Sequence, residues 1–377
     1  MAETQPDETG FVRNPLAQWK NDDLLLDEET RNQVRKDRPR AFPIVDWPEM
    51  RTLFKEIDQD AIAAKRKVRS QGVLAVWIAT SGLVLAAFAT WLAAPGSAAA
   101  VLFGIVSTLL LVGGVCLGLL PLLFGRDRSD WLVTRLKAER LRQLHFQFIL
   151  GNLELAVRAM TDPAALEELH AKRAEALKSF ADRLNPKSPA ALFDVLRDST
   201  AQHVWQDARW SAAPPSGKAL PASEIGELLD ALRRLRFGVQ RHYAIIAVQE
   251  HFNAPGVRST WLHRGADALT VAMLIASLLL ALSLLFGLEG WDRALIALAT
   301  SCAAGVAAFR TLEEGLRYGD DALRMAWYLA AIDALEADYD RLQASGRIRL
   351  HQELEALAYR EMREFLTSHH RARFVLQ

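Results

Sequence analysis

The chain has 377 residues, 51% hydrophobic and 24% charged, a balance ordinary for folded proteins. Its 45 basic and 45 acidic residues cancel, so no global field draws it to nucleic acid, and no nucleic-acid partner is expected. The two cysteines, Cys116 and Cys302, both lie inside apolar runs and make no disulfide framework.

Residues 1–46 form a polar segment whose opening, "MAETQPDETGFVRNPL", lacks the basic-then-apolar order of a signal peptide, so targeting must come from an internal segment. In "DWPEMRTLFKEIDQDAIAAKRKVR", Asp46 is a candidate N-cap, Glu49 follows three residues on, and Pro48 is tolerated in the first turn. No breaker follows. The pattern predicts one helix running from Trp47 into the apolar stretch beyond.

From Gly72 to Ala94 no residue is charged. About 23 residues at 1.5 Å rise each cover the roughly 30 Å of a bilayer's hydrocarbon core. Ala98 to Phe124 is again uncharged. Pro95 and Gly96 fit poorly in a continuing helix, and a single helix through both runs would overshoot any bilayer, so "APGS" is expected to turn the chain between two spans. After "GRDRSD" a further helix is marked by Leu132, Leu136, Leu144 and Phe148. Residues 47–160 thus read as a helix-hairpin-helix unit whose entering and leaving helices make a stalk of roughly 35 to 40 Å.

Residues 161–222 hold an amphipathic helix, with Leu166, Leu169, Leu177, Phe180 and Leu184 on one face, and the linker "SAAPPSGKALPAS" from Ser211 to Ser223. Residues 223–344 repeat the order of the first unit. A helix from Glu224 to Gln249 breaks at Pro255 and Gly256, and spans follow at about 266–288 and 291–309, with Trp291 and Arg310 as interfacial anchors of the last. A long helix lined by Leu312, Leu316, Leu323, Leu335 and Leu342 is expected next, closed by "ASGR", and a final charged helix runs from about Ile348 to Arg371 within 345–377. No strand alternation occurs. The expected fold is all-α: an integral membrane protein with two transmembrane hairpins extended by long cytoplasmic helices.

Basic residues set the expected orientation. Lys65, Arg66, Lys67 and Arg69 precede the first span, Arg126 and Arg128 follow the second, Arg264 precedes the third and Arg310 follows the fourth. The first turn has no basic residue, and the second has only Arg293 beside Glu289 and Asp292. The positive-inside rule then places both termini in the cytoplasm of a multi-pass protein of the cell inner membrane. Parallel hairpins in both halves make an internal duplication an expectation of the architecture.

No phosphate loop, HExxH helix, GxSxG elbow, paired CxxC or Gly-rich dinucleotide turn appears, so no enzyme activity, cofactor or metal site is expected. His369 and His370 are adjacent and would point about 100° apart on a helix, which disfavours a shared metal. The spans hold no ionisable residue away from their ends, against a proton relay or coupled transporter. They do hold small residues at helical spacing, Gly114 with Gly118 and Ala297, Ser301 and Gly305. Such rows either pack helices within one chain or build an oligomer face or pore lining.

"RFGVQRHYAIIA" gives Arg236, Gln240, Tyr243 and Ala247, an R-x3-Q-x2-Y-x3-A pattern before the second hairpin. "WLVTRLKAERLRQLHF" after the first hairpin gives Trp131, Arg135, Ala138, Glu139 and Arg140. These stretches resemble the two helices that flank the hairpin in the SLATT (SMODS and SLOG-associating two-transmembrane effector) family and a related bacterial two-span family of unassigned function, one marker in each half. The resemblance implies a prokaryotic inner-membrane protein of defence or conflict systems that oligomerises and permeabilises the membrane when a nucleotide second messenger or cytoplasmic sensor protein triggers it. The other functions open to this architecture are a non-pore scaffold or sensor and a constitutive channel or transporter.

Overall fold

The structure is a computed structural model that describes residues 22–94, 96–124, 126–183, 190–198, 222–252, 258–287, 290–372 and 374, with the side chains at 120–127, 183, 222, 250–252 and 258–259 outside the description. Pro95, Leu184, Pro255, Gly256 and the expected linker up to residue 221 fall outside it. Helices joined by turns make up the described residues, with no strand among them. They divide into two compact units: Met1–Ala63, Asp130–Glu250 and Asp321–Thr367 form unit one, and Ala64–Ser129, His251–Asp320 and Ser368–Gln377 form unit two. The division does not follow the order of the chain, because each unit takes residues from both halves of the sequence.

Unit one opens with α1 (Glu28–Asp37), capped by Asp27, whose carboxylate accepts from the Thr30 amide at 3.3 Å, with Glu28 and Glu29 in the first turn and Arg35 and Lys36 in the last. That order complements the helix dipole at both ends. A short α2 (Phe42–Val45) leads to α3 (Pro48–Leu92), which runs unbroken for 45 residues, roughly 68 Å at helical rise. Asp46 is not its N-cap. It sits on extended backbone and pairs with Arg51, while Trp47 holds the position before the first helical residue, its carbonyl accepting from the Arg51 amide at 3.0 Å.

The helix after the first hairpin, α5 (Arg126–Gly151), departs most from expectation. Every residue from Leu141 to Leu150 is buried, so its second half is enclosed on all sides and is the centre of a packed body. A stalk helix would bury one stripe. Around α5 pack residues of α3 up to Phe54, α6 (Leu153–Ala159), α7 (Pro163–Arg183) and α9 (Ala222–Leu232), with Leu141, Leu144, Phe148, Leu169, Leu228 and Leu232 in one cluster. A π-helical turn (Arg233–Gly238) joins α9 to α10 (Val239–Phe252), and α8 (Ala190–Arg197) lies between α7 and α9 in sequence. A second cluster gathers Phe237, Ala244 and Ala247 with Tyr328, Ile332 and Leu354.

Unit two contains the apolar helices. The part of α3 after residue 63, α4 (Ala98–Phe124), α11 (Arg258–Phe286) and α12 (Asp292–Leu316) supply four segments long and apolar enough to cross a membrane. Their outward faces are leucine-rich; Leu109 is 68% and Leu285 75% exposed, as lipid-facing residues are. Gly96 adopts φ 79° in the "APGS" turn, and the Ser97 hydroxyl accepts from the Ala100 amide at 3.2 Å to start α4. The second hairpin turns through Gly287 (φ 62°) and Gly290 (φ 104°), where the Ser283 hydroxyl donates to Asp292 at 2.7 Å.

The single long helix expected after the fourth span is two. Arg317 takes a left-handed conformation (φ 55°) that ends α12, and α13 (Tyr318–Ala337) begins at the next residue. Leu323, expected on its buried face, is 66% exposed. "ASGR" does not close a helix. It opens α14 (Ala344–Arg371), after a 3₁₀ turn at Tyr339–Arg341.

Candidate functional site

Enclosing α5 puts polar side chains where water cannot reach them, so each must find a partner within the protein. Arg135, Glu139 and Arg142 follow one another at spacings of four and three and share a face of the helix. Arg142 Nη1 donates to both oxygens of Glu139 at 3.2 and 2.9 Å, and Arg135 pairs with the same carboxylate. Arg135 Nη1 also reaches Asp58 of α3 at 3.4 Å.

Beyond Arg142 lies Asp23, with no solvent exposure at all. Its Oδ2 is 3.0 Å from Arg142 Nε and accepts from Arg236 Nη1 and from Gln240 Nε2, each at 3.3 Å. Its Oδ1 has no hydrogen-bond partner among the described residues. Arg236, placed by the π-helical turn, then grips Glu355 of α14 in a two-pronged pair at 2.6 and 3.2 Å and lies 4.7 Å from the Phe146 ring. The Tyr328 hydroxyl of α13 donates to Gln240 Oε1 at 3.2 Å. A second group, Arg324 with Asp321 at 2.8 Å and Glu361 at 2.9 Å, ties α13 to α14.

The electrostatics follow from burial. Desolvation raises the carboxyls of Asp23 and Glu355 above their ordinary range even though Arg142 and Arg236 oppose it at Asp23, and Arg236 and Arg140 at Glu355. Burial acts on Glu139 in the same sense, but Arg135, Arg142 and Arg236 together outweigh it and hold that carboxyl low. Burial, reinforced by Arg173 and Arg236, pushes His145 down to about 3, and neither of its ring nitrogens has a hydrogen-bond partner among the described residues.

Unit one also has a groove of about 590 Å³ between the start of α3 and α7, lined among others by Trp47, Glu49, His170, Arg173, Leu177 and Lys178. Arg173 is 3% exposed. It donates to the carbonyls of Pro43 and Asp46, both at 3.2 Å, and to that of Ile44, and it stacks 5.1 Å from the Trp47 ring. It thereby closes the carbonyl end of α2 beneath the groove.

The structure brings together what the sequence kept apart. Arg135 and Glu139 of the first half join Arg236 and Gln240 of the second in one ionic cluster, while the Tyr243 hydroxyl, raised by burial, feels the charge of Arg135, and Ala247 is buried in the neighbouring apolar cluster. Asp23, Asp58, Arg142, Tyr328 and Glu355 are the members that sequence reasoning missed. Arg142 alone carried a signal, as the next charge on the face of Arg135 and Glu139.

The small-residue rows in unit two are filled by the chain itself. A Cβ on Gly114 would stand 2.3 Å from the Ala79 backbone nitrogen, and one on Gly305 would stand 2.6 Å from Leu269 Cδ1. A Cβ on Gly118 would meet the Phe374 carbonyl at 2.8 Å. Ala297 is 1% exposed, and the buried Ser301 hydroxyl has no hydrogen-bond partner among the described residues. Of the flanking basic residues, Arg66, Arg264 and Arg310 are exposed, Lys65, Lys67 and Arg69 lie on the same turns of α3, and Arg69 stands 5.5 Å from the Tyr318 ring. Arg128 bonds within unit two and the Arg126 side chain lies outside the description. Among the described residues no three His, Cys, Asp or Glu side chains converge as metal ligands. Comparison of the chain with protein-family models, curated proteins and solved structures finds no match.

Proposed function

We propose that this chain is an effector of the prokaryotic inner membrane, in a defence or conflict system, that oligomerises and permeabilises the bilayer when a cytoplasmic sensor protein or nucleotide second messenger engages its helical body. The observation that carries the reading is the pairing of an apolar four-span unit with a separate unit built around a buried ionic cluster, while α3, α5, α10, α13 and α14 each supply residues to both. Buried ion pairs contribute little net stability, but they demand one arrangement and penalise every other, which suits a body that must hold one state until acted upon. Unbroken helices carry a displacement of that body along the chain toward the spans.

Four spans enclose no wide lumen, so the effector reading requires several copies. Since the rows at Gly114 and Gly305 serve packing within one chain, contacts between copies fall on the exposed leucine faces of α4 and α11. The experiment is induction in bacteria, alone and together with the neighbouring genes, while a membrane-impermeant dye and the membrane potential are followed. Dye entry and depolarisation on co-induction support the effector; a membrane that stays sealed and polarised under infection or co-induction refutes it. The groove at Trp47 and Arg173 favours a second reading, a scaffold or sensor that recruits cytoplasmic partners and uses the hairpins as anchors. In that case partners co-purify with the chain and the membrane stays intact.

A further inference from the structure

Three glycines from three helices of unit two share one neighbour. A Cβ on Gly72 of α3 would lie 2.5 Å from the Phe374 ring, one on Gly315 of α12 would lie 2.3 Å from it, and one on Gly118 of α4 would lie 2.8 Å from the Phe374 carbonyl oxygen. Contacts that short are not survivable without moving the ring or the backbone. Glycine is the poorest helix former after proline, so three of them around one ring mark a notch kept open for it. Phe374 also packs, with Val73 and Leu269, against the buried cluster that joins Val76 of α3, Leu262 of α11 and Leu312 and Leu316 of α12, and through Gly72, Gly118 and Gly315 it meets helices of both hairpins.

The chain reaches the notch from the end of α14. Arg128 donates to the carbonyl of His369 at 2.9 Å from Nε and again from Nη2, and the Ser368 hydroxyl donates to Asp320 at 3.3 Å. The helix α14 ends at Arg371, and Phe374 is only half-buried. A ring lodged among glycines at the end of such a short tether can leave without unfolding any helix.

We propose that Phe374 is a removable latch that ties the two hairpins together at the level of Gly72, Gly118 and Gly315, and that its withdrawal lets them separate. The latch extends the effector reading, as the step that would precede permeabilisation, yet it is tested by geometry alone. The full chain, with Cys116→Ser and Cys302→Ala, carries spin labels at Leu74→Cys on α3 and Ala268→Cys on α11, and the distance between them is measured in lipid nanodiscs. In F374A the distribution is expected to shift to longer, broader distances, with F374L intermediate. G315A should do the same by expelling the ring, and the pair G315A/F374A should add nothing to F374A alone.

An unchanged distribution in F374A overturns the latch. So do thermal midpoints in which the losses of G315A and F374A simply add, a readout that stands even if a variant is too unstable for distance measurement. If F374A separates the labels but releases no dye in cells, the latch stands and the effector reading fails.

Discussion

Arg236 and Glu355, 119 residues apart in sequence, meet through two parallel bonds of 2.6 and 3.2 Å, with both side chains almost wholly buried and Asp23 on the guanidinium's remaining edge. Removing one partner strands the others. Arg236→Met leaves the buried Glu355 carboxylate without its two-pronged partner and Asp23 with Arg142 alone, a defect of about 3 to 5 kcal/mol. The double variant Arg236→Met, Glu355→Met removes one of the stranded acids and should regain part of that loss. Chemical or thermal unfolding of the detergent-solubilised chain measures both, and a double variant no more stable than the single would show that the pair is not coupled.

His145 and His351 make the folded state sensitive to acid. Burial, followed by the charges of Arg173 and Arg236, lowers His145 to about 3; burial also lowers His351 to about 3, despite a backbone hydrogen bond at Leu229 that opposes it. Both are neutral in the fold and take up protons near pH 6.5 when unfolded. Their contribution is therefore complete above pH 6.5 and is lost as pH falls toward 3, at about 1.4 kcal/mol per pH unit for each. Asp23 and Glu355, with raised carboxyls, act in the opposite sense and favour the fold as they protonate. His145→Phe separates the two effects. Its unfolding midpoint should fall less between pH 7.5 and pH 5 than that of the parent, whereas parallel curves would assign the acid sensitivity elsewhere.

The spans and the enclosed helix differed in how far sequence disclosed them. Gly72 to Ala94 and Ala98 to Phe124 are legible because lipid demands length and lack of charge, both local properties. The enclosure of α5 is not local. Arg142, Gln143, His145 and Gln147 are all polar and yet all buried, and for Arg142 it is the arrival of Asp23 from a distant segment that supplies the buried counter-charge. Arg317 is a related case: its left-handed backbone breaks an apparently continuous helix at a residue that is not itself glycine, between Gly315 and Gly319. Asp23 was invisible for a simpler reason. An acidic residue beside "LLL" looks like surface until its cations are known.

Adjacent glycines in α4 give a controlled test of the first hairpin. A side chain at Gly114 runs into Ala79 of α3, with a Cβ already 2.3 Å from the backbone nitrogen and 2.7 Å from the Cα, whereas nothing lies within 4 Å of a Cβ at Gly113. Gly114→Leu should force α3 and α4 apart and cost at least the roughly 1 to 3 kcal/mol of an overpacked core. Gly113→Leu adds a leucine to an outward face and should be neutral. Equal yields of monodisperse protein for the two would mean that the helices do not approach each other at Gly114.

The hairpins also make a prediction about sides. The "APGS" turn at Gly96 lies between two spans, while Lys65, Arg66, Lys67 and Arg69 sit at the other end of the first, where positive charge resists translocation. A reporter active only in the cytoplasm should be silent when inserted after Gly96 and active when inserted after Lys218, and one active only in the periplasm should give the reverse. The basic cluster is the cause on this argument, not merely a correlate. Replacing all four residues with Gln, and adding two Lys beside Gly96, removes the bias at one end of the hairpin and creates it at the other, so the Gly96 reporter should gain cytoplasmic activity in a measurable fraction of molecules. Full retention of the original topology would mean that orientation is fixed by the second hairpin or by folding of the helical body before insertion.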